Sequence, residues 1–197
     1  VPVLSRDVFE DPTQNAVRAA LAMGFAHRKF QYFSPNITPF GTVIAAPLPR
    51  TRELMCRDGL KLYARIPADR ICAARDELNK QRAVLSRARP SSPAGAMLVR
   101  ELELASRMAL ESCRIMLWQQ ALAAGEAASA RKLARAGLRE LERLDEDFRR
   151  YWPMRNKGTT ARSTPFLRWR MDDYRKGKLH FSPEAAQGVA AKPNPAA

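Results

Sequence analysis

Histidine, glycine and cysteine are all scarce in this chain of 197 residues, and each shortage removes a class of chemistry. The two histidines, His27 and His180, stand at opposite ends with no cysteine or carboxylate at ligand spacing, so no metal centre is expected and no cofactor is implied. The nine glycines are scattered singly, which leaves neither a phosphate-cradling loop nor a Gly-x-Ser-x-Gly turn for a nucleophile. Cys56, Cys72 and Cys113 are an odd number, set far apart in helix-like segments. Free buried thiols are the expectation, with a single disulfide plus one thiol left open. No apolar run approaches the ~20 residues needed to cross a bilayer, so no membrane span is expected. The opening residues, Val1 to Asp7, lack a basic start followed by an apolar stretch and a cleavage site. They also lack an initiator methionine, and the chain is expected to begin inside a longer translated product.

Positive charge is what the chain has in excess, a formal +14 with arginine ahead of lysine. A field of that sign attracts polyanions such as nucleic acid, acidic lipid headgroups or an acidic protein surface. A coding bias toward arginine and alanine is the plainer source of the same number. With 46% hydrophobic and 27% charged residues the composition is globular, and the length suits one ordinary domain with a real core.

The periodicity is helical almost throughout. Asp11-Pro12 reads as an N-cap acid followed by proline, opening a helix over about 12–29 with Val17, Ala20, Leu21 and Gly24 on one face. Residues 30–41, aromatic and broken by Pro35 and Pro39, read as a packed irregular loop, with short strand character over Thr42 to Ala45. Thr51 to Ala64 reads as a short helix anchored by Leu54, Leu60 and Leu62. Pro67 opens a helix to about Arg89 carrying Ile71, Leu78 and Leu85 at heptad spacing. Arg89-Pro90-Ser91-Ser92-Pro93 is a break. The longest pattern then runs from Ala94 to Ala124, with Leu98, Leu102, Ala105, Met108, Ser112, Ile115 and Gln119 as its stripe. Glu126 to Trp152 follows, with Leu133, Gly137, Leu141, Leu144, Phe148 and Tyr151 in line. Ser163-Thr164-Pro165 starts a last helix to about Arg175, and the alanine- and proline-rich end beyond Phe181 reads as disordered tail. The expectation is one all-α domain over 1–180, a bundle of five or six helices whose short breaks make successive helices antiparallel.

Chemistry-bearing patterns are few. Asp145-Glu146 has the look of a carboxylate pair for glycosidic work, but it lies within a charged helix, as Asp76-Glu77 and Asp172-Asp173 also do, so a solvated face is the reading. Between Tyr151 and His180 eight basic residues stand against two acidic ones, interleaved with Trp152, Phe166, Trp169 and Tyr174. Arg155, Lys157, Arg168 and Arg170 are therefore candidates for weak, non-specific contact with a polyanion. The structural alternative makes the aromatics core anchors and pairs the arginines with Glu140, Glu142 or Asp147. Phe148, Trp152, Phe166 and Trp169 are expected to be buried together, where the helix ending near the helix-breaking Pro153 folds back on the last one.

That corner carries a resemblance. Arg155-Asn156-Lys157-Gly158 after Trp152, then Ser163 and Trp169, resembles the close of the all-helical region that follows the catalytic barrel in some bacterial family 20 glycoside hydrolases. Met23-Gly24-Phe25, Asn36-Ile37-Thr38-Pro39-Phe40, Glu101-Leu102 and Cys113-Arg114 are similar to earlier elements of that region in the same order, so the likeness spans most of residues 8–175. Pro153 and the turn Lys157-Gly158-Thr159-Thr160 depart from the family's pattern. The resemblance implies a non-catalytic C-terminal domain that packs on and stabilises a β-N-acetylhexosaminidase-like barrel encoded upstream. It transfers no catalytic residue. The rival expectation is a stand-alone basic helical protein that binds nucleic acid or another polyanion; a third is a plain helical interaction module.

Overall fold

The computed structural model describes residues 1–32, 38–45 and 66–177. Among them the chain forms α1 (Pro2–Asp7), α2 (Asn15–Phe25) continued by a 3-10 turn (Ala26–Phe30), α3 (Pro39–Ile44), α4 (Ala68–Leu85), α5 (Pro93–Ala123), α6 (Ala127–Arg155), α7 (Thr160–Ser163) and α8 (Pro165–Lys176). The fold is an all-α bundle, with no strand among the described residues. The expected helix at Thr51 to Ala64, the segment 33–37, Cys56 and the tail beyond Phe181 lie outside them.

α5 is the axis. Pro93 occupies its first turn and the Ser92 hydroxyl accepts the Gly95 amide at 3.1 Å, the local signals that start a helix. Its 31 residues span roughly 46 Å at 1.5 Å per residue. Gly125, at φ +72°, turns the chain into α6 through a connection too short for any arrangement but antiparallel. Ion pairs record the register: Arg107 of α5 meets Glu140 at 2.6 Å, while Arg100, two turns earlier, meets Asp147 at 2.7 Å. α4 and α3 cover other sides of α5, α8 lies on α6, and α2 lies on α4. Leu104, Met116 and Trp118 of α5, Leu141 and Leu144 of α6 and Leu167 of α8 are fully buried at the centre.

Four expectations need correction. Thr42 to Ala45 is not strand-like: α3 is helical, with Pro39 in its first turn and Val43 and Ile44 buried. The β-branched run serves a contact with α5, where the Ser112 hydroxyl donates to the Phe40 carbonyl. Pro153 does not end α6, which continues to Arg155. It falls in the last turn, where the lost amide bond belongs to the carbonyl of exposed Arg149, so water can replace it. The stripe assigned to α5 holds only in its second half: Ser112, Ile115 and Gln119 are buried, but Ala105 is exposed and Leu98, Leu102 and Met108 are half-buried, while Leu104, Glu111 and Trp118, outside the stripe, are fully covered. Finally, Ser163 closes α7 and does not open the last helix; α8 begins at Pro165 with buried Thr164 before it.

α2 begins at Asn15, three residues later than the proline signal suggested, and its N-cap position is Gln14, yet Asp11 still receives an amide of the first turn. Its buried carboxylate accepts the Ala16 amide at 2.9 Å, the Thr13 hydroxyl at 2.6 Å and the Arg89 amide at 3.0 Å. Burial works against the charged form, but these bonds together hold the carboxyl below its usual range. Cys72 is half-buried and Cys113 buried, both as free thiols. Burial pushes the Cys113 thiol up to about 12, which leaves it protonated and unreactive.

Candidate functional site

The corner singled out by sequence is built where the end of α6 meets the first half of α5. Tyr151 and Arg155, one helical turn apart, both aim at Glu101: the Tyr151 hydroxyl and the Arg155 Nε, the latter at 2.8 Å, donate to the same carboxylate oxygen. Burial and the neighbouring Glu101 raise the Tyr151 phenol above its ordinary range, so it remains a donor. Leu104, Met108, Phe148 and Trp152 complete a cleft of about 550 Å³ there. Phe148 is buried and meets the Tyr151 ring edge-on at 6.1 Å. Trp152 and Phe166 are half-buried against the core, and its indole N–H finds no acceptor among the described residues. Trp169 is half-buried too, so the four aromatics are covered to unequal degrees, with only Phe148 fully inside.

The candidate cations are mostly committed. Arg155 is held by Glu101, and Arg168 donates to the Ala161 carbonyl at 2.9 Å and lies 3.6 Å from buried Asp145. Arg170 is 1% exposed, paired with buried Asp173 and donating to the Ile44 carbonyl at 3.3 Å. It belongs to the core and is out of reach of a surface polyanion. Its position on the inner face of α8 was masked in the sequence by flanking Arg168, Trp169 and Asp172. Asn156 and Lys157 are exposed just past α6, and Ser163 is half-buried with its hydroxyl 3.3 Å from the Thr159 carbonyl.

Neighbouring carboxylates do not converge, and the solvated face expected of them is wrong for Asp145 and Asp173, which are buried. Asp145 is buried against Arg149 and Arg168, whereas Glu146 is exposed and pairs with Arg150. Asp172 pairs with exposed Arg175 at 3.5 Å while Asp173 faces inward. Of the expected acidic partners, Glu140 and Asp147 are taken by Arg107 of α5, and Glu142 is 3.4 Å from Arg175. No group of His, Cys, Asp and Glu among the described residues gathers as metal ligands do, and no described helix is long and apolar enough to cross a membrane.

Sequence reasoning missed a buried polar cluster centred on Glu111. Glu111, wholly enclosed in α5, accepts the Tyr174 hydroxyl at 2.6 Å and pairs with Arg114. The Tyr174 ring stands edge-on to Trp118 at 4.8 Å and lies where a side chain at Gly137 would project. A signal was present: Leu104, Glu111 and Trp118 are seven apart, so a glutamate occupies the middle of an apolar heptad. Burial raises the Glu111 carboxyl above its ordinary range although Arg114 and the Tyr174 hydroxyl oppose it. Burial, then Glu111, raises the Tyr174 phenol well above its own.

A glutamate whose pKa is higher folded than unfolded contributes stability that is complete below its unfolded value and is lost as pH rises through the folded value. Glu111→Gln keeps an acceptor for Tyr174 and cannot ionise. Its melting temperature relative to the native chain should therefore climb as pH rises from acid to neutral. Thermal melts across that range showing a constant difference would refute the assignment.

Compared with known proteins, the chain matches no family model, and no curated protein or solved structure matches it.

Proposed function

We propose that this chain is the non-catalytic, all-helical C-terminal domain of a glycoside hydrolase acting on N-acetylhexosaminides, packing on and stabilising a catalytic barrel encoded upstream. The observation that supports it best is the contact between Glu101 and Arg155. Glu101-Leu102 and Arg155-Asn156 are two elements of the family resemblance, remote in sequence, and they meet in one hydrogen-bonded corner. The surface supports it as well: α1 exposes Val3 and Leu4, and α2 exposes Leu21 and Phe25 one turn apart. Large apolar side chains grouped in this way are what a packed neighbour would cover. The corner gives less support to a stand-alone polyanion binder, because Arg155, Arg168 and Arg170 are engaged within the fold.

The test begins with the coding sequence upstream of Val1, which should encode a barrel with a glycine-rich strand ending in Asp-Glu. The longer product should hydrolyse aryl N-acetyl-β-glucosaminides, and Asp145→Asn with Glu146→Gln should leave its turnover unchanged. Deleting the helical domain should lower the barrel's unfolding temperature. An upstream sequence without a barrel, or turnover by the 197-residue chain alone that disappears in the double variant, would overturn the proposal.

A further inference from the structure

The first half of α6 carries cations that the fold does not use. From Ala127 to Arg139 there is no acidic residue, while Arg131, Lys132, Arg135 and Arg139 follow one another and Arg143 comes one turn later. At about 100° per residue these five lie within an arc of roughly 120°, on the side of the helix opposite Leu141 and Leu144, over a length of roughly 18 Å. All five are exposed. None of them enters any of the ion pairs found among the described residues, whereas Arg82, Arg100, Arg107, Arg114, Arg149 and Arg150 all do.

This arrangement works against the helix. Like charges at i and i+4, here Arg131, Arg135, Arg139 and Arg143, repel one another. An external anion would relieve that repulsion. The guanidinium fork suits carboxylate and sulfate oxygens as well as phosphate. The face bears no aromatic ring on which a base could stack and no bulky apolar side chain that could enter a bilayer interface; Ala128 lies on it, and the one acid within the arc, Glu142, is turned to Arg175 at 3.4 Å. A single row of charges about 18 Å long can follow one extended polyanionic chain along its length.

We propose that the α6 row Arg131, Lys132, Arg135, Arg139 and Arg143 binds a linear acidic polysaccharide carrying carboxylate or sulfate groups. The inference rests on the reading above, which makes an N-acetylhexosamine polymer the object of the parent enzyme, and it narrows that object to anionic polymers held beside the barrel.

Titration calorimetry of the 197-residue chain at physiological ionic strength tests it with four probes: hyaluronan and chondroitin sulfate oligosaccharides, a neutral chitin oligosaccharide of equal length, and a short DNA duplex. Binding of the acidic oligosaccharides alone is expected, and comparison of the first two separates carboxylate from sulfate recognition. In Arg131→Gln/Arg135→Gln/Arg139→Gln, loss of three exposed charge contacts should weaken that binding by about tenfold. Arg6→Gln/Arg150→Gln/Arg175→Gln removes the same charge from paired surface sites and should change it by less than about twofold. Thermal melts check that both variants fold. Equal weakening in the two triple variants, equal binding of the neutral oligosaccharide, or tighter binding of the duplex would each overturn the assignment. A missing upstream barrel with acidic-polysaccharide binding intact would sink the parent-enzyme reading and leave the row's anion binding standing.

Discussion

Asp173→Ala should lower the unfolding free energy by about 3–5 kcal/mol, because it strips a buried guanidinium of its carboxylate partner. Arg170 and Asp173 sit one turn apart on α8, 1% and 2% exposed, beneath the Ile44 carbonyl at the end of α3. Burial lowers the Arg170 pKa, and Asp173 is the first of the charges that oppose the shift. At neutral pH the single variant therefore keeps an enclosed cation with less to balance it. Removing both charges is a different matter, since an apolar pair of similar volume often matches or exceeds a buried ion pair. Arg170→Met/Asp173→Leu should recover most of the loss. Urea unfolding of the three proteins checks this; an Asp173→Ala variant within about 1 kcal/mol of the native chain would mean that the pair is not enclosed in solution.

Gly137→Ala should destabilise the domain although alanine is the better helix former by about 1 kcal/mol. A Cβ at that position would lie 2.3 Å from Cε2 and 2.4 Å from Cζ of Tyr174, well inside contact distance. The ring has little freedom to retreat, being held by the Glu111 carboxylate at its hydroxyl and by Trp118 at its edge. Overpacking of about 1–3 kcal/mol then combines with a weakened buried hydrogen bond, so a net loss of about 2 kcal/mol is expected. The control is the cycle with Tyr174→Leu, in which the ring is gone and the alanine should become neutral or favourable. Equal effects of Gly137→Ala in the two backgrounds would show that the glycine is not there for the ring.

The bundle was legible because its main helices announce themselves locally. Pro93 after Ser92, the break at Arg89 to Pro93 and Gly125 mark the ends of α4, α5 and α6 to within a few residues, and α2 and α8 follow from similar signals. What periodicity could not supply was the identity of each helix's neighbours. α5 is enclosed by α3, α4 and α6, so more than one stripe is buried, and a single-face reading finds Ser112, Ile115 and Gln119 but misses Leu104, Glu111 and Trp118. α3 was misread because Val43 and Ile44 look like a strand until α5 is placed beside them. At the candidate site the aromatic anchoring role was legible for Phe148, but Arg170 resembles its exposed neighbours in sequence and differs only in the direction α8 faces. The unpaired row on α6 was open to view in the sequence as an acid-free run. It became distinctive only once the partners of the other arginines were known.

The carboxylate of Asp11 ties together two chain reversals that are distant in sequence. One oxygen accepts the Ala16 amide in the first turn of α2, and the other accepts the Arg89 amide in the elbow between α4 and α5. Ser91 reinforces the tie through its own amide on the Glu10 carbonyl at 2.9 Å. Fraying at the start of α2 cannot then occur without exposing the elbow, nor can the elbow loosen without unwinding α2. The N-terminal segment thus behaves as part of the α4–α5 hinge region, a single cooperative unit of local opening and not an appendage laid over the bundle.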